Sequence, residues 1–440
     1  MHDTIYSSEK ILLKTACGFS NDSLVITFTG YMDQFLPESE GFGEFFFAKN
    51  GIDAIHVISK SNEWYQYGEM KDIINIILKY KSSYRNVFAY GISMGAYAAI
   101  RYGNVLDAIV IAMSPQYSIN PSVMPGETRW LREAHRIFFT EEESVIKNPH
   151  KTIVFYDPLQ YSDARHVDRI AKDIDICRVP IPYSGHFVAA YLSDIGIISK
   201  TLLDIINFKF NINEFMEEIH SIEKPARYYS EISHSIMKVD PYTALSFAQK
   251  ALEMTRDDSS YLYHLSTLYR RIGDLRNAEY FIKKAIECSG SGLHYKRYLS
   301  LILIDEGRFD ECRELVKTMI GINGQEGEYY YLMALCHAYE GNISAAIENG
   351  KKSVSLNPKY KRYKNTLDKL IRASGNRFFF FKYMAVVKLK RSRFIRSVMN
   401  GFFHINKYTR IYKLFCHARG QSFPKLPSIT RTMHSNRPAA

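Results

Sequence analysis

The stretch Tyr90-Gly91-Ile92-Ser93-Met94-Gly95-Ala96 decides the reading of the first half of the chain. Before it, Asn86-Val87-Phe88-Ala89-Tyr90 has the length and apolar character of a short buried strand. After it, the small-residue run from Met94 to Tyr102, with Ala96, Ala98 and Ala99 on its early turns, reads as a helix. A serine at so sharp a strand-to-helix turn is held in a strained backbone conformation. The glycines two positions to either side are needed because a Cβ there would strike the neighbouring chain. The hydroxyl is pushed out over the end of the sheet, beside the first unbonded N–H groups of the helix. Ser93 is therefore the candidate nucleophile.

A serine hydroxyl is a poor nucleophile at neutral pH and needs a histidine base, usually oriented by a carboxylate. In strand-turn-helix hydrolases the chain order is Ser, then Asp or Glu, then His. Here Lys151-Thr152-Ile153-Val154-Phe155-Tyr156 has a strand signature and ends on Asp157-Pro158. A helix is expected from about Ala164 to Ala171 and a last short strand from Ile176 to Ile181, followed by Tyr183-Ser184-Gly185-His186-Phe187. His186, in a glycine loop just past the last strand, is the expected base. His56 lies within the apolar strand Ala54–Ile58 and reads as structural, while His135, His150 and His166 have no matching context. Asp157 is the preferred acid, because Pro158 stops its strand there. Asp163 is the alternative, although it could equally cap the following helix. The oxyanion donors expected are the backbone N–H of Met94 and that of Tyr31, which follows the strand Leu24–Phe28 and Gly30.

Over roughly residues 10–205 these features resemble the α/β-hydrolase superfamily. The resemblance implies an α/β fold, a mostly parallel sheet with flanking helices, and assigns nucleophile, acid and base to Ser93, Asp157 and His186. The stretches Gly41-Phe42-Gly43-Glu44 and Asn62-Glu63-Trp64-Tyr65-Gln66-Tyr67 look like a bacterial subgroup of that superfamily without a firmly assigned substrate. A lipase-type His-Gly-Gly-Gly segment is absent, which argues against the ordinary lipase class. Between the strands at Ala108–Met113 and Thr152 there is room only for a small lid, Ser118 to Lys147, containing Trp130.

The middle of the chain repeats. Gly273, Gly307 and Gly341 recur at a constant 34-residue interval, each between helix-like segments. Ala244, Ala278, Cys312 and Ala346 mark a second phase of that period, and Ala251 and Ala285 a third; Val239 stands at the first turn-glycine position, and Met319 and Ser353 at the later alanine positions. Small residues at fixed phase are expected where helices approach closely. From about residue 225 to 360 the pattern resembles tetratricopeptide repeats in four copies. The resemblance implies an all-α solenoid whose concave face holds a protein partner, or else a spacer.

The full chain has 440 residues, 46% of them hydrophobic, and suits two or three domains. The expected division is 1–215 for the hydrolase-like domain, 225–370 for the repeats and 375–440 for a basic, aromatic-rich tail. From Gly375 onward there are 14 Lys or Arg and no Asp or Glu, which against a net charge of +11 leaves −3 for residues 1–374. Within the tail Phe394, Ile395, Val398, Met399, Phe402 and Phe403 follow helical spacing, with Lys390, Arg391, Arg393 and Arg396 largely elsewhere around the helix. Such a helix suits an anionic membrane surface; it could also cap the solenoid or hold an acidic polysaccharide. Nucleic acid is disfavoured because no recognition motif accompanies the charge. No basic segment leads into an apolar one at the N-terminus, and no stretch approaches eighteen apolar residues. Six scattered cysteines form neither a disulfide framework nor a zinc motif. The expectation is a cytoplasmic protein, at most peripheral at the inner face of the membrane, with neither metal nor cofactor.

The function expected is serine-dependent acyl transfer on an ester or thioester, tethered to a protein-binding scaffold. Two alternatives stand beside it. One is an O-acetyltransferase that acylates a surface polysaccharide, with acetyl-CoA as donor. The other is a silent hydrolase-fold scaffold whose repeats carry the function.

Overall fold

The computed structural model describes residues 2–19, 22–32, 40–139, 146, 151–255, 257–290, 292–358 and 360–375. The basic tail beyond Gly375, His150 and part of the expected lid lie outside the described residues. The chain divides into two compact units, Met1–Ile232 and Ser233–Ala440.

The first unit is built on eight strands: β1 (His2–Ser7), β2 (Ile11–Ala16), β3 (Ser23–Phe28), β4 (Asp53–Ser59), β5 (Asn86–Ile92), β6 (Ile109–Met113), β7 (Lys151–Tyr156) and β8 (Cys177–Pro180). They form one sheet in the order β1-β2-β4-β3-β5-β6-β7-β8. Antiparallel pairing is confined to β1 with β2 and β2 with β4; the other pairs are parallel. The seven residues of β4 are all buried, as expected of a strand covered on both faces. The strand period of two sends Ile26 and Phe28 to one core, with Ile73, Ala98 and Val167. Val25 goes to the opposite core, with Phe88, Phe155 and Leu202.

Parallel neighbours require crossovers, supplied by α1 (Glu44–Lys49), α2 (Met70–Lys81), α3 (Met94–Gly103), α4 (Leu131–Ala134) and α5 (Tyr161–Asp173). After β8 come α6 (Val188–Asp194), α7 (Ile198–Ile206), α8 (Ile212–Ser221) and α9 (Ala226–Ile236). From β3 the chain moves to β4 on one side, then crosses to β5 on the other, so the order reverses around β3. The C-terminal ends of β3 and β5 flank that reversal, where open α/β sheets place ligands. The division between units falls within α9 rather than at 215–225, because Phe215, Ile219 and Tyr228 pack into the sheet's second core.

The second unit continues with α10 (Pro241–Met254), α11 (Ser259–Ile272), α12 (Leu275–Ser289), α13 (Leu293–Glu306), α14 (Phe309–Ile322), α15 (Gly327–Glu340), α16 (Ile343–Leu356) and α17 (Lys361–Gly375). Gly273, Gly307 and Gly341 end α11, α13 and α15 in the left-handed conformation, with φ of 88°, 82° and 88°, which spares a Cβ penalty. Ala244, Ala278, Cys312 and Ala346 have no exposure, as close helix approach demands. A fourth phase escaped sequence reading. Asp240, Asp274 and Asn342 cap α10, α12 and α16 through their side chains, accepting the N–H of Thr243, Asn277 and Ala345. At the same phase Arg308 makes no cap and instead pairs with Glu279, Glu306 and Glu311.

Candidate functional site

The turn between β5 and α3 is as tight as its glycines suggest. Ser93 has φ 53° and ψ −113°, a backbone few non-glycine residues adopt. A Cβ on Gly91 would lie 2.2 Å from the carbonyl carbon of Gly95, and one on Gly95 would lie 2.2 Å from the Phe28 carbonyl oxygen. Both glycines are therefore obligatory, and the start of α3 lies directly on the end of β3. A Cβ on Gly30 would come within 3.2 Å of the Ile92 carbonyl oxygen, which places the Gly30–Tyr31 turn beside Ser93. Met94 is the first residue of α3, so its N–H has no partner within the helix. The Tyr31 side chain is packed with Trp64 and Trp130.

His186 arrives from the loop after β8. Its Nε2 is 2.9 Å from Ser93 Oγ, and its Nδ1 is 2.7 Å from Asp163 Oδ2. Asp163 is fully buried. Burial alone would raise its pKa, but the hydrogen bond and charge of His186, with the Arg129 guanidinium, outweigh burial and hold the carboxyl below its usual range. An ionised carboxylate only accepts, so His186 Nδ1 must donate to it, and the neutral ring's Nε2 then accepts the Ser93 O–H. The hydroxyl, imidazole and carboxylate thus stand in the polarity that proton transfer from Ser93 requires.

The expectation for the acid is corrected by this geometry. Asp157 does not reach the imidazole: its Oδ1 accepts the Leu159 N–H at 2.8 Å and its Oδ2 the Gly185 N–H at 2.9 Å. It shapes the loop that carries His186. Burial, with Glu231 nearby, pushes its carboxyl up to about 7. Nor does Asp163 cap its helix. Gln160 occupies that position, and Asp163 sits in the first turn of α5 with its side chain turned inward.

Behind the carboxylate runs a second tier that sequence reading missed. Arg129 Nη1 donates to Asp163 Oδ1 at 2.7 Å, and the same guanidinium pairs with Glu127. Glu127 Oε2 is 2.9 Å from His166 Nε2, and His166 Nδ1 accepts the Tyr117 N–H at 3.1 Å. With Nδ1 accepting, the ring proton is on Nε2 and goes to Glu127. Burial holds the His166 pKa down, in keeping with a neutral ring. Asp163 and His166, three apart on one face of α5, therefore bind the segment after β6 to the site. Within that segment Ile119, Met124 and Ala134 are core residues, so its described part is anchored rather than loose. The faint signal available was two polar residues at helical spacing on the buried side of α5. His56, as expected, is structural, its Nδ1 2.7 Å from Thr27 Oγ1 in the core.

Gln116 also reaches Ser93, with Trp64 behind it. Gln116 Nε2 is 3.2 Å from Ser93 Oγ, and Trp64 Nε1 donates to Gln116 Oε1 at 2.7 Å. Among the described residues no group of three or more His, Cys, Asp or Glu could hold a metal ion, and no helix is long and apolar enough to cross a membrane.

Comparison with known proteins bears on the second unit. Residues 327–360, spanning α15 and α16, match the tetratricopeptide repeat. No curated protein matches the chain. Similar solved structures include MamA from residue 41 to its end from Desulfovibrio magneticus RS-1, 19% identical, covering 38% of this chain and 97% of that one at a TM-score of 0.30. YrrB, described as a TPR protein with an unusual peptide-binding site, is 19% identical and covers 42% of this chain and 90% of its own, also at 0.30. Likenesses this slight carry no argument. The plain finding is a helical repeat unit that contains a tetratricopeptide repeat, following an α/β unit with a mixed sheet.

Proposed function

We propose that residues 1–232 form a serine-dependent acyl-transfer enzyme of the α/β-hydrolase type, acting on an ester or thioester, and that the repeats bind a protein partner. The observation carrying the first part is the continuous chain from Ser93 Oγ through His186 to Asp163, with contacts of 2.9 and 2.7 Å. The strained φ at Ser93 and the strand order around β3 support it.

In this reading Ser93 Oγ attacks the carbonyl carbon as its proton passes to His186 Nε2. The developing oxyanion is met by the Met94 and Tyr31 N–H groups. Collapse breaks the bond to the alcohol or thiol, which leaves with the proton from His186, and an acyl-Ser93 ester remains. Water, deprotonated by His186, attacks that ester; the second collapse releases the acid and restores the Ser93 hydroxyl. Asp163 holds the imidazole in the required tautomer and stabilises its charged form, and Arg129 fixes Asp163 in turn. A sugar hydroxyl in place of water would give O-acyl transfer.

The test is hydrolysis of short p-nitrophenyl esters by the full chain. Turnover lost in both Ser93→Ala and His186→Ala, with folding intact, is expected. Unaltered turnover in either variant, or none in the wild type with any acyl length or acceptor, would leave the first unit as a scaffold. For the repeats, the support is the match at 327–360.

A further inference from the structure

We infer that Gln116 is a third catalytic side chain, donating a hydrogen bond to Ser93 Oγ that assists its departure from the acyl-enzyme, and that Trp64 positions it. This rests on the serine-enzyme reading above.

The segment that carries Gln116 is pinned on both sides. Ser114, directly after β6, has φ 48°, and its N–H donates to the Phe155 carbonyl at 2.8 Å. Tyr117 donates its N–H to His166, and its carbonyl accepts from Arg101 Nη2 at 2.7 Å. Gln116 is 1% exposed, so its amide cannot turn to water. Which end of the amide faces Ser93 is settled by Trp64, since an indole N–H only donates and so must face the amide oxygen. The amide nitrogen is thereby left toward Ser93.

Trp64 is itself held at some cost. It and Tyr65 adopt φ of 50° and 54°, a region aromatic residues rarely enter. Its ring packs against Tyr31 and Trp130, which also touch each other, and it has no exposure. A strained, buried indole that spends its one donor on a glutamine beside the nucleophile is more than a core filler.

Ser93 Oγ has one proton and two lone pairs. The proton goes to His186 and one lone pair accepts from Gln116, which leaves one lone pair for the carbonyl carbon. During attack Oγ gives up electron density, and a donor on it offers little. In the second half-reaction Oγ is the leaving group. The bond from the acyl carbon to Oγ breaks, its electron pair passes to Oγ, and the proton arrives from His186 Nε2. A fixed N–H at Oγ stabilises charge in that step above all.

Pre-steady-state hydrolysis of p-nitrophenyl acetate by the full chain separates the two half-reactions. Gln116→Met keeps the shape and lacks the N–H. It is expected to slow deacylation about ten- to hundredfold, the effect of one donor to a developing charge. The burst rate should stay within about threefold, and kcat and KM should fall together as acyl-enzyme accumulates. Trp64→Phe should shift the same partition less, because the freed amide can turn over. Gln116→Glu keeps an acceptor for Trp64 but sets a second acceptor beside the hydroxyl; its phosphonylation by a fluorophosphonate should slow about tenfold or more. A folded Gln116→Met protein with wild-type deacylation overturns the inference. Should that variant fail to fold, wild-type deacylation in a folded Gln116→Glu protein overturns it instead. A wild-type protein that forms no acyl-enzyme at all would refute the underlying serine reading, a different result from either.

Discussion

Replacing Asp163 by asparagine changes one buried atom and, in this account, reverses the polarity of the site. The carboxylate is unexposed and accepts from two donors at once, His186 Nδ1 and Arg129 Nη1, each at 2.7 Å. An asparagine offers one acceptor and one donor. The guanidinium has only donors, so the amide oxygen turns to Arg129 and the amide nitrogen faces His186. Nδ1 must then accept, the ring proton moves to Nε2, and Nε2 can no longer take the Ser93 proton. Trapping the wrong tautomer in a serine triad costs about 10⁴ in kcat, or about 5.5 kcal/mol of transition-state stabilisation. The fold should lose less, about 1–3 kcal/mol, because shape is kept and Arg129 retains Glu127. The assay is ester hydrolysis alongside urea unfolding followed by tryptophan fluorescence; both tryptophans, Trp64 and Trp130, lie in the first unit. The paired control is Asp157→Asn, whose carboxyl touches the Leu159 and Gly185 N–H groups rather than the ring, and which should stay within about tenfold of wild type. An Asp163→Asn enzyme within tenfold of wild type, or a larger loss in Asp157→Asn, would refute the reasoning.

Other substitutions probe the supports of the site. Gly95→Ala should abolish the native elbow, since its Cβ would sit 2.2 Å from the Phe28 carbonyl oxygen; soluble protein with normal ester turnover would contradict this. Arg129→Met leaves Asp163 and Glu127 as neighbouring buried carboxylates without their shared cation, and should cost about 3–5 kcal/mol in the tryptophan-monitored transition. A change below about 1 kcal/mol would mean that the pairing is idle. Asp157, with its carboxyl pushed up to about 7, sets a pH dependence of known sign. Between about pH 4 and 7 the native protein keeps a proton that the unfolded chain has released. Its stabilising contribution is complete below that window and lost above it. Relative to Asp157→Asn, the wild type should therefore lose unfolding free energy on the order of a few kcal/mol as pH rises through the window; a flat difference would show that the carboxyl is not so held.

What could be read from sequence alone follows interaction range. The elbow, the small helix after it and the His186 loop were legible because strand, turn and glycine signals are local. The repeat was legible because its glycines and alanines recur at fixed phase. Asp157 was preferred for its place at a strand end, a signal that marks where a residue sits but not where its carboxyl points. Asp163 reaches His186 because α5 turns its first-turn face inward, and only the packed helix shows that. Gln116, Trp64, Arg129 and Glu127 owe their roles to contacts with distant segments, such as Trp64 with Gln116 and Glu127 with His166. No pattern of neighbours in the chain encodes those. The strands β1 and β2, which close the antiparallel edge, were not anticipated either, since nothing nearby announces the pairing of β1 with β2 and of β2 with β4.

The most direct measurement is the intact mass and peptide map of the full chain after exposure to a fluorophosphonate. The account predicts a single phosphonyl adduct on Ser93, lost in Ser93→Ala and strongly slowed in His186→Ala. A folded wild-type protein that stays unmodified while a known serine hydrolase labels under the same conditions, or an adduct elsewhere with Ser93 untouched, would contradict it.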